Sequence, residues 1–513
     1  MKNIKPTQTV AVIDVGSNYL RMATADIDNA GNIKILEDVI KPTNIGKDTF
    51  SNGRISVETI HKTCDDIKGF SQIMRDYKIK HYKAVSTSGI REASNRQYIL
   101  QQIRLRTGIQ VEIINTSQER FYIMKALRYE TSNTDALAAK TTLVVNISTG
   151  SVEASIFNDG NLKFTEHVKI GSLRVKEALD ELEYSAPDFT KLTEQYIESK
   201  LYWAKSNIGE FKIKNFIALG GELSTIIKLI KKAGKTSVST NFISKDDFDR
   251  LYKKIKTMSN DQIVFEYGLS KQKIDLLIPT ILIFNNFLKM TESPKIYTPD
   301  ITLRLGVLYD LSDEIFKFPR KISSTNDILS SIFYICDKYR INKTHATYVE
   351  KISLSIFDQT LKIHKLGERE RLYLQISSRL HDVGGFIDIA NHENQSYNII
   401  ICQDIMGFSY RELSIIANIT KYHSSMVPDE DDYNYFILND KDKMIVSILS
   451  AIIKMAEALD TSHLQKIEEL KLSKSNNTLY FNVASNDDLS LEEWNFNKRA
   501  NFFEEVLGVK PII

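Results

Sequence analysis

The residues best suited to chemistry lie in the stretch Leu143 to Phe157, L-V-V-N-I-S-T-G-S-V-E-A-S-I-F. Ser148, Thr149, Gly150 and Ser151 can bring several backbone N–H groups together with only small side chains in the way, which suits an anion. Glu153, just past this turn, is a candidate to hold a divalent cation against a phosphate. The same device occurs earlier in A-V-I-D-V-G-S-N-Y-L-R-M. There Asp14 takes the metal-facing place, Gly16, Ser17 and Asn18 form the turn, and Arg21 can reach back over a phosphate. Two further stretches have compatible chemistry. Hydroxyl residues precede Arg91 in S-T-S-G-I-R-E, and Gly220-Gly221 closes a buried strand at a helix start. Glu119, in N-T-S-Q-E-R-F, falls in the first turn of a helix that follows a strand, aimed at whatever lies beyond the strand end.

The elements that must position these groups follow from the hydrophobic pattern. Each turn is flanked by β-rich segments, so both stretches read as hairpins. They lie about 130 residues apart, and their shared grammar points to a duplicated fold. Between them, Val57 to Tyr77 has helical spacing, and Tyr82 to Ser86 and Val111 to Ile114 read as strands. Residues 188 to 208 form an amphipathic helix, Phe216 to Glu222 a buried strand and its turn, and Ile301 to Leu311 a closing helix. Lys317 to Lys321 has linker chemistry. From about Ser323 helical periodicity dominates to about Leu459, and this region carries six of the nine histidines: His345, His364, His381, His392, His423 and His463. Leu470 to Val483 reads as paired short strands and Arg499 to Val506 as a last helix.

Composition sets the frame. With 513 residues the chain has length for two to four domains, and 42% apolar with 26% charged residues is ordinary globular content. A formal charge of +2 provides no global field for DNA or a membrane surface, so a polyanion must be met in a local cleft. Three dispersed cysteines exclude a disulfide framework and a zinc knuckle. No apolar run approaches a membrane span and the N-terminus has no apolar signal core, so a cytoplasmic protein is expected.

The ordered set A-V-I-D-V-G-S-N-Y-L-R-M, S-T-S-G-I-R-E-A-S-N, I-I-N-T-S-Q-E-R-F, N-I-S-T-G-S-V-E, K-I-G-S-L-R-V-K-E and L-R-L-G-V-L-Y-D-L resembles the exopolyphosphatase and guanosine-pentaphosphate phosphohydrolase family over essentially the whole chain. The resemblance implies an α/β, duplicated actin-like (ribonuclease H-like) ATPase fold with lobes at 1–128 and 129–315. An all-helical HD-type domain at 322–465 and a small α+β segment at 466–513 would follow. It implies Glu119 as the general base that activates water, with Mg²⁺ in the cleft near Asp14, Asn146 and Glu153. Gly16, Ser17, Asn18, Arg21, Arg91, Ser148, Thr149, Gly150, Ser151, Gly220 and Gly221 would form the phosphate cradle. Expected partners are polyphosphate or guanosine pentaphosphate and a second copy of the chain. The pattern departs from the family's D-I-G-G-G-S-x-E: Asn146 replaces a carboxylate and Ser148-Thr149 replace glycines, while Ser117-Gln118 replaces the residues that usually lead into the base.

In the helical part the order His345, His381-Asp382, Asp460 is similar to the ligand order of HD-type metal sites, which implies Mn²⁺ or another divalent ion there. His423 is a further polar candidate, and His392 another. Three readings therefore stand: a cleft hydrolase of phosphoanhydrides, an HD-site phosphohydrolase with the lobes as a polyphosphate or nucleotide sensor, and a non-enzymatic polyanion-binding regulator.

Overall fold

The computed structural model describes residues 7–131, 137, 140–183, 185–233, 241–318 and 321–513. Pro319 and Arg320, in the expected linker, lie outside the described residues. Two compact units, Met1–Asp327 and Ile328–Ile513, divide the chain.

The first unit holds two sheets. Strands β1 (Gln8–Val15), β2 (Tyr19–Ile27), β3 (Ile33–Pro42), β4 (His81–Ser86) and β5 (Glu112–Ile113) form the first, in the order β3-β2-β1-β4-β5. The second contains β6 (Thr142–Ile147), β7 (Val152–Asn158), β8 (Asn161–Val168), β9 (Asn215–Gly220), β10 (Phe242–Ser244) and β11 (Lys295–Tyr297), in the order β10-β11-β9-β6-β7-β8. In each sheet an antiparallel meander continues into a parallel strand beside its first member, β4 on β1 and β9 on β6. Register makes the repetition explicit: Asp14 lies opposite Arg21 across the first hairpin, and Asn146 opposite Glu153 across the second.

Strand β1 is apolar on both faces because both faces are covered. Ala11, Ile13 and Val15 join the core that contains Ile67 and Phe70 of the helix Val57–Asp76. Val10 and Val12 point the other way, onto Val307, Leu308 and Leu311. Period-two alternation therefore sends Asp14 to the second face, at the strand end where the core gives out. The helix Leu303–Phe316, which a boundary at residue 315 groups with the second lobe, packs on the first sheet and on the helix Thr116–Thr131. After β8 the chain turns into a short helix, Ser172–Ala178.

The second unit is helical, with a three-stranded sheet of β12 (Glu469–Ser475), β13 (Thr478–Ala484) and β14 (Lys510–Ile512). The helix Ser490–Leu507 packs Phe496 and Phe503 on Phe481 of that sheet. Among the described residues no helix is long and apolar enough to cross a membrane.

Candidate functional site

In the first unit the site is built from strand ends. The first hairpin closes with Gly16 N–H donating to Tyr19 O at 3.1 Å, and a Cβ at Gly16 would stand 2.8 Å from that oxygen. Arg21 Nη1 donates to Asp14 Oδ2 at 3.2 Å, so the arginine assigned to phosphate is held by the carboxylate across the ladder. Asp14 Oδ1 is buried with no hydrogen-bond partner. Burial raises the Asp14 pKa, and the charges of Arg21 and Arg304 oppose it. Ser17 O accepts from Gly46 N–H and Asn18 O from Thr43 N–H, which ties the tip to the loop that follows β3.

The second tip is more enclosed. Ser148 N–H donates to Ser151 O at 2.8 Å and Ser151 N–H to Ser148 Oγ at 3.0 Å. Thr149 O accepts from the N–H groups of Leu173 and Arg174, both at 3.1 Å. Arg174 Nε donates to Gly150 O at 2.7 Å, and its Nη2 donates to both oxygens of Glu92 at 2.7 Å. The two tips meet at Ser88: its Oγ lies 3.2 Å from Ser17 Oγ, and its Cβ would be 2.9 Å from a Cβ on Gly150. Gly220 and Gly221 have φ of +70° and +58°, a left-handed turn that side chains resist, and Gly221 N–H donates to Ile147 O at 2.6 Å.

Glu119 enters from a helix whose start is set by Asn115 and Gln118. Gln118 N–H donates to Asn115 Oδ1 at 2.9 Å and Asn115 N–H to Gln118 Oε1 at 3.1 Å, a capping box that assigns Gln118 a structural role. The Glu119 side chain is 12% exposed, and Arg91 Nη1 lies 3.7 Å from its Oε2 while donating to Ile114 O at 2.7 Å. Burial raises the Glu119 pKa; Arg91 pulls against this and the charge of Asp14 adds to it. Glu153 is different. Arg120, the residue after Glu119, places Nη2 3.3 Å from Glu153 Oε1 with both side chains buried, so a guanidinium faces the carboxylate assigned to the ion. Asp14, Glu119 and Glu153 are not among the described groups of three ligands close enough to share a metal. Glu222 was not singled out in the sequence; its carboxyl is also raised by burial, and Arg21 is among the charges that lower it.

The second unit gathers its histidines at helix ends. His345 stands in the first turn of Lys343–Gln359, where Asn342 Oδ1 accepts from its N–H. His381 and Asp382 follow the end of Glu368–Leu380, before the 3₁₀ turn Val383–Phe386. His392 begins His392–Cys402, His423 lies just past Tyr410–Lys421, and Glu457 stands near the end of Asp440–Ala458. His381 Nε2 is 3.2 Å from His345 Nε2 and 3.2 Å from Asp382 Oδ2, and Glu457 Oε2 is 3.1 Å from His345 Nε2.

Asp460 accepts from His345 Nδ1 at 2.7 Å and from Gln465 N–H at 2.7 Å, so it orients the ring from behind. Glu457, three residues earlier, stands with His345 and His381 in a group close enough to share a metal ion. Its signal in the sequence is the i, i+3 spacing to Asp460. Burial lowers the His345 pKa, but hydrogen bonds to Asp460 and Glu457 outweigh it and push it up to about 10. The carboxylates of this cluster call for positive charge at its centre.

Residues 25–315 match the Ppx/GppA phosphatase family, and residues 329–500 match the Ppx/GppA phosphatase, domain III. The chain belongs to the Ppx/GppA phosphatase family. It is 26% identical over 296 residues to a bifunctional 3-dehydroquinate synthase/phosphatase of Fusobacterium nucleatum, covering 54% of this chain and 43% of that relative. It is 19% identical over 417 residues to a guanosine-5'-triphosphate,3'-diphosphate pyrophosphatase of Vibrio vulnificus, covering 80% of each. An exopolyphosphatase structure from Cytophaga hutchinsonii superposes with a TM-score of 0.53 at 23% identity, covering 60% of this chain and 98% of that one. A Ppx/GppA family member from Aquifex aeolicus gives 0.50 at 21%, covering 61% and 99%. These likenesses and the two mixed sheets fit a two-lobed, actin-like α/β fold.

Proposed function

We propose that this Ppx/GppA protein releases terminal phosphate from polyphosphate or guanosine pentaphosphate in the cleft of its first unit, with Glu119 as general base. The observation that carries this is the buried Glu119 carboxyl, its pKa raised by burial and its position fixed beside Arg91. A raised carboxylate is a stronger base toward water, and it gains nothing from a site without a proton to take. Arg91 steadies Glu119 and offers positive charge to the phosphoryl oxygens. Arg21, Gly16, Ser17, Asn18, the tip Ser148 to Ser151 and the Gly220-Gly221 turn hold the rest of the anion, since phosphoryl transfer is mainly positioning and charge neutralisation. Asp14 Oδ1, buried without a hydrogen-bond partner, fits a divalent ion, whereas Glu153 is already matched by Arg120. Mg²⁺ held there would neutralise charge on the phosphates. Asn146 is the weaker candidate for that ion because an amide lacks a carboxylate's charge.

A second reading rests on His345, His381, Asp382 and Glu457, which can hold a metal ion in an HD-type domain. We take 322–465 as that domain, 466–513 as an appended α+β segment, and the working protein as a cytoplasmic homodimer. Phosphate release from long-chain polyphosphate and from guanosine pentaphosphate separates the readings. Glu119→Gln should lower the rate by at least ~10²-fold, the scale of a general base, and Asp382→Ala should leave it unchanged. Loss in Asp382→Ala alone moves turnover to the second unit. No release by the wild-type protein favours the regulator.

A further inference from the structure

We propose that Arg174 and Glu92 are positioning residues that tie the second hairpin tip to the short helix carrying Arg91, so that the seating of that tip fixes Arg91 against Glu119. This rests on the reading of Glu119 as general base and extends it to the parts that hold the base in place.

The contacts run through one guanidinium. Arg174 lies in the first turn of Ser172–Ala178, where the N–H groups of Leu173 and Arg174 hold Thr149 O. Its Nε donates to Gly150 O, and its Nη2 donates to both oxygens of Glu92, all at 2.7 Å. The guanidinium carbon also stands 4.2 Å from the ring centroid of Phe50, in Ile45–Asn52. Arg174 belongs to the second sheet's side of the unit, Glu92 and Phe50 to the first's. A carbonyl and a carboxylate at its edge and an aromatic ring on its face suit an arginine, and the point charge of a lysine could not serve all three.

Glu92 directly follows Arg91. Arg91 N–H donates to Thr87 O at 2.9 Å and Glu92 N–H to Ser88 O at 3.1 Å, closing the helix Ser88–Arg91. This helix is seated on the first tip. A Cβ on Gly89 would stand 3.0 Å from Ser17 Cα, and Gly89 O accepts from Thr49 Oγ1 at 2.7 Å. Since Ser88 meets Ser17 and Gly150, the one short helix touches both tips and ends in Arg91. The charges that face Glu119 are those of Arg91, Asp14 and Arg120. At 3.7 Å the Arg91 contact is longer than a hydrogen bond, so its strength follows small shifts of the helix end.

The pair is not needed to keep the two sides joined. Ser51 Oγ donates to Glu177 Oε2 at 2.6 Å, and Leu173 packs where a Cβ on Gly46 would stand 2.9 Å from its Cδ2. Arg174 and Glu92 are also 20% and 27% exposed, so their ion pair adds little to stability. What it supplies is orientation.

Carbon NMR of the full-length chain, with glutamate isotopically labelled at the side-chain carboxyl, tests this without substrate. The Glu119 signal is the one missing in Glu119→Gln. Arg91 holds the Glu119 pKa down, so its titration midpoint should rise in Arg91→Met, and rise as well in Glu92→Gln and in Arg174→Met. Neither should add to the shift when combined with Arg91→Met. Glu92→Gln keeps the side chain's shape and guards against misfolding. A wild-type midpoint in both single variants, or a shift that adds in full to that of Arg91→Met, overturns the coupling. In assays of phosphate release the same two variants should lower kcat/KM by roughly 10–10²-fold, the cost of a misplaced group, with the acid limb moved to higher pH. No release by the wild-type protein would remove the general-base reading, while the titration still decides whether the pair positions Arg91.

Discussion

Ser88 and Gly150 touch across the two lobes of the first unit so closely that a Cβ on the glycine would stand 2.9 Å from the Cβ of the serine and collide with its hydroxyl. Gly150→Ala should therefore destabilise the fold by about 1–3 kcal/mol, the usual scale of overpacking. Adding Ser88→Gly should restore part of the loss. Thermal denaturation of the two single variants and the double variant measures the coupling. Strict additivity would mean that the tips separate freely.

The acid limb of phosphate release should report Glu119. The carboxylate must be ionised to accept a proton from water, so activity falls as pH drops through its raised pKa. Arg91 is the leading charge holding that pKa down. Arg91→Met should therefore move the acid limb of kcat/KM to higher pH, whatever it does to the height of the profile. A limb that stays in place, or moves down, would detach Glu119 from Arg91.

Asn146 lies directly across the ladder from Glu153. Asn146→Asp would set a second carboxylate beside a glutamate that Arg120 already matches, so the added charge calls for a cation. Phosphate release by this variant should depend more steeply on Mg²⁺ than that of the wild type. The same response in both proteins would show that position 146 never meets the ion.

Asp460 should act on metal affinity through His345. Freeing the ring in Asp460→Ala should weaken Mn²⁺ binding by ~10–100-fold, the range for an orienting partner, and Glu457→Ala should cost more. Chelator competition gives both values. Wild-type affinity in Asp460→Ala would reduce the contact to packing.

Lys454 gives a stability signature. Burial and then the charge of Arg499 lower its pKa to about 7, Glu393 pulling the other way, and its Nζ donates to Ser424 O. The folded pKa is depressed, so between about 7 and the unfolded value near 10.5 the unfolded chain binds the extra proton. Stability should rise with pH across that window, by at most ~1.4 kcal/mol per unit for one proton. Lys454→Met should flatten the rise in denaturant titrations. An unchanged slope would assign it to other groups.

The parts legible in the sequence are those whose logic is local. Both hairpins announce themselves through β-formers around a small-residue turn, and their repetition carries the duplicated fold. His381-Asp382 could be recognised as a shared corner because Gly384-Gly385 marks the helix end beside it. Long-range pairings were not legible. Nothing near Glu153 tells that Arg120 will face it, and the packing of Leu303–Phe316 on the first sheet depends on contacts nearly 300 residues away in sequence. Glu457 and Asp460 sit on neighbouring turns, so choosing between them requires knowing that the helix stops at Ala458.

Three of the imidazoles, those of His381, His392 and His423, are each fastened to the carbonyl of the residue three positions earlier. Their rotamers are thus fixed by the chain's own turns, and the entropy of ordering them is spent when the helices form rather than when an ion arrives. Such a centre should capture metal without a conformational search. Its association rate would be limited by dehydration of the ion, and its occupancy set by which divalent ion the surroundings provide.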